Sequence, residues 1–345
     1  MTPTSPPIAS LHLSRPAELL AGIPGLLGFP PVDSLVLITL TMDPDLAIGA
    51  AIRADLPPSW DESDLIDQLC CAVTNNAPFA VVAAVVGGDR EDEGDLPNRQ
   101  LVETLADVLQ DEGVPVAHAL WAPSVEQGAP WLCYMHDTCR GEIPDPTSSP
   151  LAALAVALGR RTYADRADLA AQLAPDPPDA LARREHLLTT HTPPEGDESL
   201  DRELAFLHDT IISTGDHAPH PSDLDDERVA RLGAALSHGR VRDECLALAL
   251  TNHADAAEHL WLALTRALPP PERAEPACLL GVAAYLRGDG ALANVALDVA
   301  MKANPSHNLS AILQQAVEVG TAPTALRLML IDSIAQGLTP RSQRT

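Results

Sequence analysis

Any chemistry in this chain has to come from side chains brought together by folding. It contains no phosphate-binding loop, no G-x-S-x-G and no H-E-x-x-H. Two groups of residues have suitable types. The first is Asp33, Ser34, Arg53, Asp55, Asp89 and Arg90. Carboxylates in such a set could hold a cation or act as general bases, and Arg53 could clasp an anion through its planar fork. The second is Cys133-x-x-His136-x-x-Cys139, the one metal-like spacing. Thiolate and imidazole suit zinc, and three ligands plus water would resemble a catalytic site. A strand, however, sends alternate side chains to opposite faces, and no fourth ligand is evident nearby. Buried thiols are therefore the main expectation, with a metal at Cys133, His136 and Cys139 as the alternative. Cys70-Cys71 reads as the inner face of a helix, and His217 and His220 as solvated residues of a Pro-rich acidic loop. No cofactor is evident.

The elements that would position the first group are legible. Ser14-Arg15-Pro16 starts a helix, with Ser14 as cap and Pro16 where its missing donor costs nothing, running toward Leu27 with a bend at Pro24. Ser34–Thr41 and Leu46–Ala54 are apolar runs joined at Met42-Asp43-Pro44-Asp45, an antiparallel hairpin. Residues 60–75 are helical, 79–86 a buried strand ending in Gly87-Gly88-Asp89, 96–110 a helix, 114–121 a strand and 131–135 a last strand. This order implies a mixed sheet with right-handed crossovers in its middle. Pairing about Asp43-Pro44 sets Ser34 opposite Arg53. If the strand ending at Asp55 runs parallel to those ending at Val86 and Trp121, all six polar residues share the carboxyl-end edge, where open α/β sheets bind ligands. The competing expectation is a structural Arg53–Asp55 ion pair.

Farther on, Ala277–Gly320 has the spacing of a tetratricopeptide-type repeat: Leu280-Gly281, then Ala293 and Leu297, then Pro305. Small residues at Gly281, Ala293 and Ala300 would let two antiparallel helices approach, with Leu280, Val295, Leu297 and Val299 as filling and Gly288-Asp289-Gly290 as the turn. Residues 223–236, 254–268, 309–319 and 325–334 read as further amphipathic helices, the third-last turning Ala257, Leu260, Trp261 and Leu264 inward. The expected fold is thus an α/β mixed-sheet amino-terminal domain (13–140), a linker with short helices (141–199), and an all-α, tetratricopeptide-like helical domain (200–338), with tails at 1–12, taken as disordered, and 339–345.

With 345 residues, 36.5 kDa and 46% hydrophobic residues, each domain can form a core. A formal net charge of −26 without a basic stripe argues against a nucleic-acid partner. No run approaches a membrane span, and Met1–Ser10 lacks the pattern of a secretory signal, so the expectation is a cytoplasmic protein with six reduced cysteines.

The stretches Leu13–Leu20, Leu27–Val36, Arg53-Ala54-Asp55-Leu56-Pro57 and Leu286–Leu297 resemble an actinobacterial family known as domain of unknown function 4192. The resemblance spans nearly the whole chain, implies a cytoplasmic actinobacterial protein and supplies no catalytic residue. Three functions follow from the residues: a protein-interaction or regulatory module using the helical half, a small-molecule-binding or enzymatic α/β domain using the sheet edge, and a self-associating structural protein. The expected partner is a protein or a second copy.

Overall fold

Unbroken apolar runs suit strands covered on both faces, and the amino-terminal half is built that way. A computed structural model of the chain describes residues 15–42, 46–57, 62–88, 95–191, 194–214 and 224–337. It divides into two compact units, Met1–Leu169 with Glu318–Thr321, and Ala170–Val317 with Ala322–Thr345. Ser14, the Asp43–Asp45 turn and the tails expected at 1–12 and 339–345 lie outside the described residues.

The first unit runs α1 (Pro16–Leu27), β1 (Ser34–Met42), β2 (Leu46–Asp55), α2 (Glu62–Thr74), β3 (Ala80–Val86), α3 (Arg99–Asp111), β4 (Val116–Ala122), β5 (Pro130–Cys133), β6 (Arg140–Glu142), a 3-10 turn (Pro146–Ser148) and α4 (Pro150–Ala157). The strands form one mixed sheet in the order β2-β1-β3-β4-β5-β6. β3 and β4 are parallel and the other neighbours antiparallel. Alternation splits the core in two. Leu35, Leu37, Val81, Ala83 and Val85 pack with Leu69, Leu101, Leu105 and Leu109 of α2 and α3. Val36, Ile38, Leu40, Val82 and Ala84 pack with Leu19, Leu20 and Ile23 of α1. Each such fully buried Val, Leu or Ile side chain contributes roughly 1.5–3 kcal/mol. Both crossover helices, α2 and α3, cover one face, as connections of a common hand must.

The hairpin register differs from the expected one. Met42 pairs with Leu46, which leaves a three-residue connection, and the pairing then shifts once more between Ile38 and Leu40. The extra residue is on β2, where Thr39 Oγ1 accepts from the Ala50 N–H (2.6 Å) and lies 3.1 Å from the Ala50 carbonyl. Beyond this bulge Ser34 faces Asp55, and Arg53 faces Val36. The total offset is two residues, so every β2 side chain beyond the bulge stays on its expected face.

The residues expected as a linker are ordered into both units. Ile143 belongs to the core of the first, and α4 packs on α1 so closely that a Cβ on Gly25 would stand 3.1 Å from the Ala152 backbone. α5 (Arg166–Ala171) follows, then α6 (Pro178–Leu188), which starts on the last proline of the Pro175–Pro178 run. Pro178 is the first residue of that helix, where proline is tolerated.

The second unit continues with α7 (Asp197–Thr214), α8 (Asp226–Leu236), α9 (Gly239–Leu248), α10 (Ala254–Ala267), α11 (Ala274–Leu286), α12 (Gly290–Ala303), α13 (Asn308–Glu318) and α14 (Pro323–Gly337). Ala257, Leu260, Trp261 and Leu264 of α10 are buried as their spacing requires. The α11–α12 hairpin closes tightly: a Cβ on Gly281 would meet Leu297 Cγ at 3.0 Å. Gly288 takes φ +83° in the turn, and the Asp289 carboxylate caps α12 at the Leu292 N–H (3.0 Å). Arg184 of α6 ties this unit together. Its Nε donates to Asp226 Oδ1 (2.7 Å), and Nη1 donates to Asp176 Oδ2 (2.7 Å) and the Ala267 carbonyl (2.9 Å). No helix among the described residues is long and apolar enough to cross a membrane.

Candidate functional site

β2, β3 and β4 end at one edge of the sheet, as a carboxyl-end site needs. The two-residue offset keeps Ser34 and Arg53 on one face, and Arg53 Nε donates to Ser34 Oγ at 2.9 Å. The Ser34 hydroxyl donates to the Val32 carbonyl (2.6 Å), Arg53 Nη2 donates to Asp55 Oδ1, and the guanidinium stands over the Phe29 ring, 5.7 Å from its centroid. Asp33 holds φ +43°, with its carbonyl accepting from the Leu56 N–H (2.8 Å) and its carboxylate from the Gly88 N–H (3.3 Å). Gly87 and Gly88 have φ +99° and +77°. A Cβ on Gly87 would lie 2.8 Å from Asp33 N, so glycine is required there for space as well as conformation. Asp33, Ser34, Arg53 and Asp55 are thus brought to one edge; Ser34, Arg53 and Asp55 bond to one another, in the manner of the structural ion pair that competed with the site, while Asp33 is engaged by the Leu56 and Gly88 backbone. Asp89 and Arg90 lie outside the described residues, as do His217 and His220.

The alternative metal set does not assemble. Cys133 and Cys139 face each other across the β5–β6 turn, Cys133 N donating to the Cys139 carbonyl at 3.0 Å, while His136 is exposed at its tip. Burial and the neighbouring Cys133 sulfur raise the Cys139 thiol above its ordinary pKa, which disfavours the thiolate a metal needs. Among the described residues no group of three or more His, Cys, Asp or Glu converges for a metal.

Two other arrangements escaped sequence reasoning. In the second unit, His307 Nδ1 accepts from the Ser310 N–H (3.2 Å) and lies 2.7 Å from Ser310 Oγ, so the ring proton belongs on Nε2, 3.1 Å from Glu275 Oε1. Serine, histidine and carboxylate in that order have the types of a nucleophile relay. Ser310 is 0% exposed, though, and the His307–Glu275 contact is out of line for a hydrogen bond. The group serves as the amino-terminal cap of α13 and fixes it to α11. Burial pushes the adjacent Cys278 thiol up to about 12, so it too is inert at neutral pH.

The other arrangement is concave. A cleft of about 680 Å³ opens between α7 and α8, lined by Arg202, Glu203 and Phe206 from α7 and Glu227, Arg228 and Arg231 from α8, with His191 after α6 and an apolar floor at Ala234 and Ala235. That volume is in the range of small-molecule sites. Arg231 is held by a two-pronged pair to Glu203 (2.8 and 3.0 Å), and His191 Nε2 lies 3.0 Å from Glu227. The guanidinium carbons of Arg231 and Arg228 stand 3.8 and 5.4 Å from the Phe206 ring centroid. The only sequence signal for this cleft is the i, i+3 spacing of Glu203 with Phe206 and of Arg228 with Arg231, which any solvated helix face would share.

No curated protein and no solved structure matches the chain. A family match covers residues 16–324, from the first turn of α1 into α14, and so takes in the sheet edge and the cleft alike. The chain belongs to the family described as Domain of unknown function (DUF4192).

Proposed function

We propose that this protein is a cytoplasmic protein-interaction module whose tetratricopeptide-like helical unit associates through α14, with a second copy of the chain as the partner. One observation carries the reading. The exposed side of a surface helix is ordinarily polar, yet in α14 Leu328, Met329 and Ile331, flanked by Arg327 and Asp332, are 63%, 58% and 45% exposed while Leu326 on the other side is buried. Two α14 faces paired about a twofold axis are self-complementary, and their apolar contact has to outweigh the repulsion between two copies that each carry a net charge of −26. Six free cysteines accord with a reducing compartment.

The test is molar mass in solution by light scattering across a concentration series, for the wild type and for the double variant Leu328→Gln, Met329→Gln. The reading requires a dimer in the wild type, favoured by added salt as like charges are screened, and a monomer in the variant. A wild type that stays monomeric at every concentration and salt refutes it. The small-molecule reading at the sheet edge has the placement of Asp33, Ser34, Arg53 and Asp55 in its favour, but Ser34, Arg53 and Asp55 already bond to one another and Asp33 to the Gly88 N–H, so it ranks second.

A further inference from the structure

Arg228 is the exception among the charged groups of the α7–α8 cleft. Arg231 is neutralised by Glu203, and His191 sits beside Glu227. The Asp225 carboxylate is engaged as the cap of α8, accepting from the Arg228 backbone N–H at 2.8 Å. The Arg228 side chain has no carboxylate partner among the described residues, and its Nε is shut off from solvent with no acceptor. Its one neighbour of note is the face of Phe206. A buried donor left unpaired costs stability, and native proteins rarely keep one without a use. Arg202, farther along α7, is only loosely engaged, 3.9 Å from a Glu198 that is itself almost fully exposed.

We propose that this cleft binds a small organic oxyanion, a carboxylate or a phosphate ester with an apolar or aromatic body. Arg228 clasps the oxyanion through its fork, the geometry in which guanidinium outperforms other cations. Phe206, on which the Glu203-bound Arg231 also stacks, backs the Arg228 guanidinium, which lowers the ordering cost of binding. Arg202 adds long-range attraction at the mouth, where the strongly acidic remainder of the chain would otherwise repel an anion. The body of the ligand lies on Ala234, Ala235 and the Phe206 edge. A cleft of about 680 Å³ takes a molecule of metabolite size rather than a polymer segment. This inference is independent of association through α14.

Calorimetric titration of the full chain at low ionic strength tests it, with benzoate, phenyl phosphate, inorganic phosphate and neutral benzamide as probes. Benzoate or phenyl phosphate should bind at least tenfold more tightly than benzamide, and the stronger of the two names the oxyanion. Inorganic phosphate should be weaker than phenyl phosphate because it lacks the body. Arg228→Met should weaken binding by roughly tenfold to a hundredfold, the value of a charge-assisted hydrogen bond. Arg228→Lys, which keeps the charge without the fork, should fall between, and Arg202→Met should lose only about two- to threefold as a screened, exposed charge. Melting curves without ligand check that each variant folds. If Arg228→Met does not fold, the comparison of Arg228→Lys with wild type, together with the benzoate–benzamide contrast, decides. No heat from any probe at millimolar concentration, equal binding of benzoate and benzamide, or unchanged affinity in a folded Arg228 variant overturns the proposal.

Discussion

Replacing Arg184 by Leu should be among the most damaging single changes in the helical unit. The Arg184 side chain is 11% exposed and makes charge-assisted bonds to Asp176 and Asp226 plus one to the Ala267 carbonyl. Removing one partner of a buried ion pair typically costs about 3–5 kcal/mol, because the remaining charge stays desolvated. Two features pull the value down. Asp176 and Asp226 are about a quarter exposed and regain some hydration, and Asp226 keeps its 2.7 Å bond from Arg183. One feature pulls it up, since the Ala267 carbonyl loses its buried donor, worth roughly 1–3 kcal/mol. The net expectation is about 2–4 kcal/mol, a fall in melting temperature of roughly 5–15 °C for a unit of this length. Differential scanning calorimetry of the full chain is the assay, since the two units can melt separately. Arg184→Lys, retaining a charge but only one well-placed donor, should lose about half as much. A loss below about 0.5 kcal/mol in Arg184→Leu, as expected for a surface pair, would refute the idea that this network holds α6, α8 and the end of α10 together.

Burial pushes the Asp226 carboxyl up, but the Arg183 and Arg184 guanidiniums outweigh it and hold the group below the usual carboxylate range. Its stabilising contribution is therefore complete above the unfolded-state value, about 3.9, and is lost as pH falls through the lower folded-state value. Denaturant titrations from pH 5 downward should show this loss in wild type and a flatter profile in Asp226→Asn. Gly281→Leu would drive new side-chain atoms into Leu297 and should destabilise the α11–α12 hairpin by about 1–3 kcal/mol; an unchanged melt would remove the close-packed hairpin. Thr39→Val keeps the shape of a fully buried residue but strips the Ala50 backbone of its partner. It should cost about 1–3 kcal/mol, and a neutral effect in urea unfolding would mean that water replaces the hydroxyl.

The parts of the fold legible in the sequence are those where pattern and burial coincide. β3 is an unbroken apolar run and β1 a largely apolar one, both buried on both faces, and α10 shows a helical stripe that matches its buried face. β6 could not be seen, because Arg140-Gly141-Glu142 carries no strand pattern and is held by β5 alone. α9 was missed for a related reason: its opening Gly239-Arg240-Val241-Arg242-Asp243 reads as a polar loop, although Val241 and Cys245 are buried. The register differs at two places, the three-residue connection and the bulge, and at the bulge a threonine hydroxyl in place of a ladder bond leaves no signature in residue types. The sheet edge was placed by topology. The cleft was not, since its charges come from helices whose polar faces resemble any other solvated surface until α7 and α8 are set side by side.

The hairpin between β1 and β2 also constrains how this family can vary in length. A three-residue connection alone would turn every β2 side chain to the wrong face, and so would the bulge alone; present together, they cancel. A relative that loses one residue from the connection should therefore also lose the residue at the bulge, or gain one elsewhere along β2. Single insertions and deletions here are expected to be excluded and paired ones neutral. Length variation in this hairpin would thus come in steps of two, and alignment gaps in the 43–45 connection would be correlated with gaps at the bulge beside Ala50.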